Sequence, residues 1–316
     1  MSVSHEIAFV VATKDRPEEL RRMWRSLCSQ NRLPGEVVIV DASARPFPLA
    51  DLEPVPIVLR YLRTAVASAT RQRNLGLDAI GPDADLVGFL DDDVVLEEGA
   101  VEEMLRFFET ADAGVGGAAF NMANHPPLDW PVLKRTRLAE SLGLYARRGG
   151  AVTASGFQTM IGPLARTERT DWLPSGASVW RREVVRDYRF DEWFGGYSYL
   201  EDLEFSYRVG KSFKLAVVAG ARYSHLQAAG GRGGGYAFGL REVLNRVHFV
   251  KKHSELSLRK CYAALSARLL MSLALAARER QASFIARAFG NTIGLMRSAL
   301  ERRSHEADGF RDRVKP

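Results

Sequence analysis

Cysteine is scarce in this chain: Cys28 and Cys261 lie far apart and lack the spacing of metal ligands. A disulfide framework and a zinc site are therefore not expected. No stretch reads G-x-x-x-x-G-K-[ST], and none reads G-x-G-x-x-G behind an apolar strand, which argues against a P-loop or dinucleotide fold. The opening Met1-Ser2-Val3-Ser4-His5-Glu6 has no basic segment leading into an apolar one. No signal peptide is visible, so a cytoplasmic location is the expectation. The longest uncharged run of the C-terminal region, Leu269 to Ala277, is far below the roughly 20 residues of a spanning helix.

Apolar residues, by contrast, are plentiful. They make up 46% of 316 residues, ample for a sizeable core. The net charge of +6 is uneven: residues 241–316 hold 16 Lys/Arg against 7 Asp/Glu, and residues 1–240 hold 28 against 31. The basic character belongs to the tail. An enzyme of nucleic acid would carry it around the active face, so nucleic acid is not the expected ligand.

Three consecutive aspartates, Asp91-Asp92-Asp93, directly follow the apolar run Leu86-Val87-Gly88-Phe89-Leu90. Such a run reads as a buried central strand, and its carboxyl end is where open α/β sheets place their ligands. Carboxylates this close repel, which points to a bound cation, and oxygen ligands favour Mg²⁺ or Mn²⁺. The alternative is an acidic turn capping a helix over 97–110.

The first 120 residues alternate strand and helix. Strands are expected over 7–12, 36–41 and 56–61, and helices from Pro17 (with Asp15 as candidate cap) and over 70–80. Short links imply an α/β fold with a mostly parallel sheet covered on both faces. Thr13, Asp15, Asp41 and the triplet all fall at the carboxyl ends of these strands. Each alone could be a turn or cap residue; together they mark one edge of the sheet.

Four segments occur in an order and spacing that resemble family 2 glycosyltransferases of the GT-A fold: Val10-Val11-Ala12-Thr13-Lys14-Asp15-Arg16, Val40-Asp41-Ala42-Ser43, Arg73-Asn74-Leu75-Gly76 and Phe89-Leu90-Asp91-Asp92-Asp93. Trp172-Leu173-Pro174-Ser175-Gly176-Ala177 and Tyr199-Leu200-Glu201-Asp202-Leu203-Glu204 look like that family's acceptor-side motif and Glu-Asp helix. The resemblance covers residues from about 5 to 226. It implies a catalytic domain over 1–240, with a nucleotide half to about 120 and an acceptor half beyond, then a basic helical extension over 241–316.

The implied activity is inverting transfer of a sugar from a UDP-, dTDP- or GDP-linked donor to an acceptor hydroxyl in bacterial-type surface glycan or glycolipid assembly. A nucleotidyltransferase acting on sugar phosphates and a non-catalytic glycan-binding relative are the alternatives. The first would need a glycine-rich basic loop near the N-terminus, which Val10 to Arg16 lacks. Under the resemblance, Thr13, Asp15, Arg16, Asp41, Arg73, Asn74, Asp91 and Asp92 serve the nucleotide, while Asp93, Asp91 and His225 serve Mn²⁺ or Mg²⁺. Asp202 is the expected general base, with Glu201 second, kept ionised by the helix N-terminus. Trp172, Ser175 and Gly176 are expected at the acceptor or sugar pocket.

The glycine-rich stretch 230–236 reads as a linker or a lid carrying Arg232 and Tyr236. Acceptor identity is expected in the irregular residues 121–170. In the tail, Leu258, Tyr262, Leu265, Leu269, Leu273 and Ala276 form one helical face, and Ile285, Phe289, Met296 and Leu300 another. Either these faces pack against protein, on the catalytic domain or in a homodimer, or they rest on the inner face of an anionic membrane as a peripheral contact.

Overall fold

Runs of Val, Ile, Phe and Leu with no internal charge have nowhere stable to go but a doubly covered sheet. The computed structural model, which describes residues 5–125, 137–141, 143, 145–196, 198–226 and 234–313, bears this out. Two compact units divide the chain. The first comprises Met1–Asp129, Arg148–Ala151 and Met160–Ala229; the second comprises Trp130–Arg147, Val152–Thr159 and Gly230–Pro316. The helical unit thus begins at Gly230 rather than 241 and includes two earlier segments.

In the first unit, β1 (Ile7–Thr13), β2 (Glu36–Asp41), β3 (Val58–Arg63) and β4 (Leu86–Asp91) lie in the order β3-β2-β1-β4, all parallel. Next to β4 comes β8 (Ala177–Arg181), antiparallel, followed by β6 (Val115–Met122), β9 (Lys214–His225) and β5 (Val94–Leu96). A short β7 (Glu168–Thr170) also pairs with β9, giving a mixed sheet of nine strands among the described residues. Alternate residues of each strand enter opposite layers. Phe9 and Val11 of β1 pack with Leu20 and Trp24 of α1 (Pro17–Cys28), whereas Val10 packs with Phe89, Trp180 and Phe205.

Register sets the site. Thr13 pairs with Asp41, and Ala12 pairs with Asp91, so three strands end level. The triplet does not cap a helix. Residues 94–96 form β5, and α3 (Ala100–Thr110) starts only after Gly99, its N-cap at φ 75°. Nor does Asp15 cap α1, whose N-cap is Arg16. Asp15 instead takes φ 53°, and its carboxylate accepts from Ala44 N at 3.0 Å.

The second unit holds α4 (Arg137–Ser141), α7 (Gly235–Lys252), α8 (Leu258–Glu279) and α9 (Ala282–Arg313). Helices α7 and α9 pack backbone against backbone: a Cβ on Gly239 would strike the carbonyl of Arg287, and one on Gly290 that of Tyr236. The buried face of α9 is therefore small and polar, with Ala288, Asn291 and Ser298, while the apolar face of Ile285, Phe289, Met296 and Leu300 is exposed. On α8, Leu265 and Ala276 are buried as the pattern predicts, but Leu273 is exposed. Helix α8 is 22 residues long with a mean hydropathy of 1.3 over 18 of them, enough in length and composition to cross a membrane. The uncharged-run reading missed this because Arg268 interrupts the run, and Arg268 bonds Glu242 Oε1 at 3.0 Å.

Glu242 is 1% exposed and also accepts from Arg287 Nη2 at 2.8 Å and Asn291 Nδ2 at 3.1 Å. Burial pushes its pKa up, but the Arg287 bond and the two guanidinium charges outweigh burial and hold it below the ordinary value. Glu242→Gln leaves two guanidinium groups without a counter-charge and should cost about 3–5 kcal/mol by urea denaturation. Because the folded value is depressed, wild-type stability from this group is present above about pH 4.3 and lost as pH falls through the folded value. The variant should show a flatter acid limb; an unchanged one would refute the assignment.

Candidate active site

The site grows from the carboxyl edge of the parallel strands. Asp91 ends β4, and β8 enters antiparallel beside it, bringing Ser175 and Gly176 to the same edge. Asp91 N donates to Gly176 O at 2.8 Å, and a Cβ on Gly176 would lie 2.6 Å from Asp91 Oδ2, so a larger residue there would have to displace the Asp91 carboxylate. Strand β9 pairs with β5, His225 opposite Val94, which carries the imidazole across 132 residues of sequence to Asp93; His225 Nε2 lies 3.0 Å from Asp93 Oδ1. His225 is the last residue of β9. Ligand atoms of Asp91, Asp93 and His225 all lie within 4.8 Å of one another.

A buried guanidinium joins this cluster to α6 (Glu201–Val209). Arg73, on α2 (Ala69–Ala79), bonds Asp91 Oδ1 and Glu201 Oε1, each at 2.8 Å, with its plane over Phe190. Its side chain is 5% exposed, and both ends of the fork are engaged by carboxylates rather than turned to a nucleotide. Asp92 accepts from Thr13 Oγ1 at 2.7 Å and from Arg16 Nη1 at 3.1 Å, and Arg16 also reaches Asp93 at 3.5 Å. Burial pushes the Asp92 carboxyl up to about 7 despite these donors. The charge argument for a cation thus needs correction, because Arg16 and Arg73 already relieve repulsion within the triplet. What favours a metal is the convergence of two carboxylates and an imidazole, a donor set suited to a divalent ion.

The two candidate bases differ. Glu201 is 13% exposed, and burial, then the Asp202 charge, raise its pKa well above the carboxylate range against the pull of Arg73. Glu201 stays paired with the Arg73 guanidinium at 2.8 Å. Asp202 is half-buried, its Oδ1 accepting from Leu203 N at 2.7 Å.

Other expected residues scatter. Asp41 is fully buried; its oxygens accept from Ser43 N at 2.7 Å, Tyr61 Oη at 2.5 Å and Arg63 Nη1 at 3.2 Å. Burial opposes ionisation there, yet the Ser43, Tyr61 and Arg63 donors hold its pKa below the ordinary value. It supports the edge without lining it. Asn74 turns away: its Nδ2 donates to Phe190 O and its Oδ1 accepts from Phe190 N, both at 3.0 Å, pinning the segment after α5 (Arg182–Asp187). Trp172 is buried, and the buried Ser175 hydroxyl has no hydrogen-bond partner among the described residues. Tyr236 lies in α7, tilted against Phe289, not in a loop, and Arg232 falls outside the described residues.

Sequence reading passed over a cavity of about 470 Å³ lined by Thr13, Asp15, Arg16, Ser43, Arg45 and Phe47. The signal was present in Ala44-Arg45-Pro46-Phe47-Pro48, a turn-rich segment behind β2 that was read only as a link. Trp193 was also missed; it is 48% exposed on the segment that Asn74 holds.

A sheet with parallel strands level at one edge, aspartates at and just beyond the end of β4 and a Glu-Asp helix beside them defines a GT-A fold. The sequence profile of glycosyl transferase family 2 matches residues 8–165, and the chain belongs to that family. Among solved structures the chain is similar to S. aureus TarS residues 1–349, with 14% identity, 95% of this chain and 92% of that one covered, and a TM-score of 0.51. It is also similar to the longer S. aureus TarS structure at 15% identity and a TM-score of 0.46, covering 77% of this chain but only 41% of that one. No curated protein sequence matches.

The Asn74 geometry yields a direct test. Asn74→Ala should lower stability by about 1–3 kcal/mol through the lost Phe190 bonds while nucleotide affinity by calorimetry stays within error. A collapse of affinity with stability intact would return Asn74 to the nucleotide site.

Proposed function

We propose that the protein is an inverting glycosyltransferase that moves a sugar from a UDP-, dTDP- or GDP-linked donor to a hydroxyl of a glycan or lipid-linked acceptor, in surface glycan or glycolipid assembly. The observation that carries this reading is the convergence of Asp91, Asp93 and His225 beside the N-terminus of α6, at the sheet edge where the cavity opens. The cavity accepts the nucleobase and ribose, with Thr13, Asp15 and Arg16 at its wall. Asp41 acts behind them, holding Ser43 and Tyr61 in place.

Asp91, Asp93 and His225 suit Mn²⁺ or Mg²⁺, and the chemistry supplied by such an ion is stabilisation of negative charge on the departing diphosphate. The chain's own residues do the rest. Asp202 takes the proton as the acceptor oxygen forms its bond to the anomeric carbon; the bond from that carbon to the phosphate oxygen breaks, and its electron pair leaves with the nucleoside diphosphate. Glu201, tied to Arg73, orients the first turn of α6 and so the base. The orphaned Ser175 hydroxyl suits a sugar or acceptor hydroxyl next to Asp91, and the exposed Trp193 indole suits a sugar face.

Two variants separate binding from chemistry. Asp93→Ala should abolish Mn²⁺-dependent binding of a nucleoside diphosphate while leaving the circular dichroism spectrum intact; an unchanged calorimetric affinity would remove Asp93 from the metal set. Asp202→Asn nearly conserves shape, so turnover should fall by about 10²-fold or more with donor affinity retained. If affinity fell instead, Asp202 would belong to the donor site. Release of pyrophosphate rather than a nucleoside diphosphate would identify a nucleotidyltransferase.

A further inference from the structure

Over residues 261–277 of α8 and 282–300 of α9, the exposed side chains carry a single charge, that of Arg297. Between Cys261 and Ala277, the water-facing positions of α8 include Ala263, Ala267, Leu270, Leu273, Ala274 and Ala277, and not one exposed residue in that span is charged. A helix exposed on a water-soluble surface ordinarily turns charged and polar groups outward. Arg268, the one charge inside the span, turns inward to Glu242. Helix α9 continues the pattern with Ile285 at 59% exposure, Phe289 at 60%, Met296 at 58% and Leu300 at 64%. These four lie 4, 11 and 15 residues from the first, on one side of the helix. Among the described side chains of the two helices, the exposed charges are Arg259 near the start of α8, Arg278, Glu279 and Arg280 at the turn, and Arg297.

Contiguous exposed apolar surface marks a site for protein or membrane. Three observations favour lipid. Helix α8 has the length and hydropathy of a membrane helix, and only 22% of its apolar stretch is buried. Helices α7 and α9 pair through Gly235, Gly239, Gly290 and Gly294, the small-residue close approach by which helices associate where lipid removes the hydrophobic drive. Residues 241–316 hold 16 basic against 7 acidic residues. A two-fold contact over this face would add the basic groups of one copy to those of the other, whereas anionic head groups offset them.

We propose that the α8–α9 face is a membrane-docking surface. Leu270, Leu273, Ile285 and Phe289 rest in the acyl boundary of an anionic bilayer, with Arg278, Arg280 and Arg297 at the lipid phosphates. This goes beyond sugar transfer and stands whether or not the donor reading holds, because its test reads lipid binding alone.

The test is flotation of the full chain with vesicles of phosphatidylcholine alone and of phosphatidylcholine with phosphatidylglycerol, at low and high salt. The expected result is binding to the anionic vesicles that weakens with salt. Ile285→Gln/Phe289→Gln and, separately, Arg278→Glu/Arg280→Glu should each lose about tenfold or more in partition, with helicity and melting midpoint unchanged. The charge pair keeps the test decisive if the apolar pair fails to fold. No flotation, equal flotation with neutral vesicles, or partition untouched by the charge pair overturns the proposal. A lipid-free dimer that Ile285→Gln/Phe289→Gln dissociates would assign the face to a second copy instead.

Discussion

The site depends on one buried cation. Arg73 has carboxylates at both ends of its guanidinium, Asp91 at the end of β4 and Glu201 at the start of α6, and lies over the ring of Phe190. At 5% exposure such a group is tolerable only when its donors are met by opposite charge. Meeting them fixes three elements against each other: the central strand, the helix behind the edge and the helix bearing the candidate base. Lysine could not do this, since a point charge lacks the planar fork that spans two carboxylates.

The same arrangement explains how three aspartates coexist. Each meets a cation or donor: Asp91 meets Arg73, Asp92 meets Thr13 and Arg16, and Asp93 shares Arg16 and meets His225. The backbone directs them apart, because Asp91 ends one strand and Val94 begins another that runs antiparallel to β9. Burial deepens the distinction, raising Asp92 while Asp91 stays at the surface, 33% exposed. Within one acidic motif, Asp91 and Asp93 converge with His225 while Asp92 turns to Thr13 and Arg16.

Most of the fold was legible because strand and helix signals are local. The runs 7–12, 37–40 and 86–90 lacked charge, and the structure makes each part of a buried strand. The grouping of Thr13, Asp41 and Asp91 was legible too, since parallel strands of similar length end together. The partners were not. Nothing local shows that Asn74 bonds Phe190, 116 residues away, or that Arg73 bonds Glu201, 128 away. Asp41 was expected to read a base, yet Tyr61 and Arg63 from the neighbouring strand take its oxygens. That depends on the β2–β3 register, which no single strand announces.

The tail was legible only in part. Apolar periodicity left two readings open, burial in protein or contact with lipid, because the stripe alone does not decide which side of a helix turns inward. In α9 the buried face is instead the one bearing Gly290, Asn291 and Gly294, because backbone approach to α7 and the Glu242 network determine which side turns inward. Once the glycines and polar groups face the partner helix, helical geometry sends Ile285, Phe289 and Met296 outward. The pattern Gly235-x-x-x-Gly239 and Gly290-x-x-x-Gly294 stood in the sequence all along. Weighing close packing of small residues against the apolar stripe would have turned the helix the right way round.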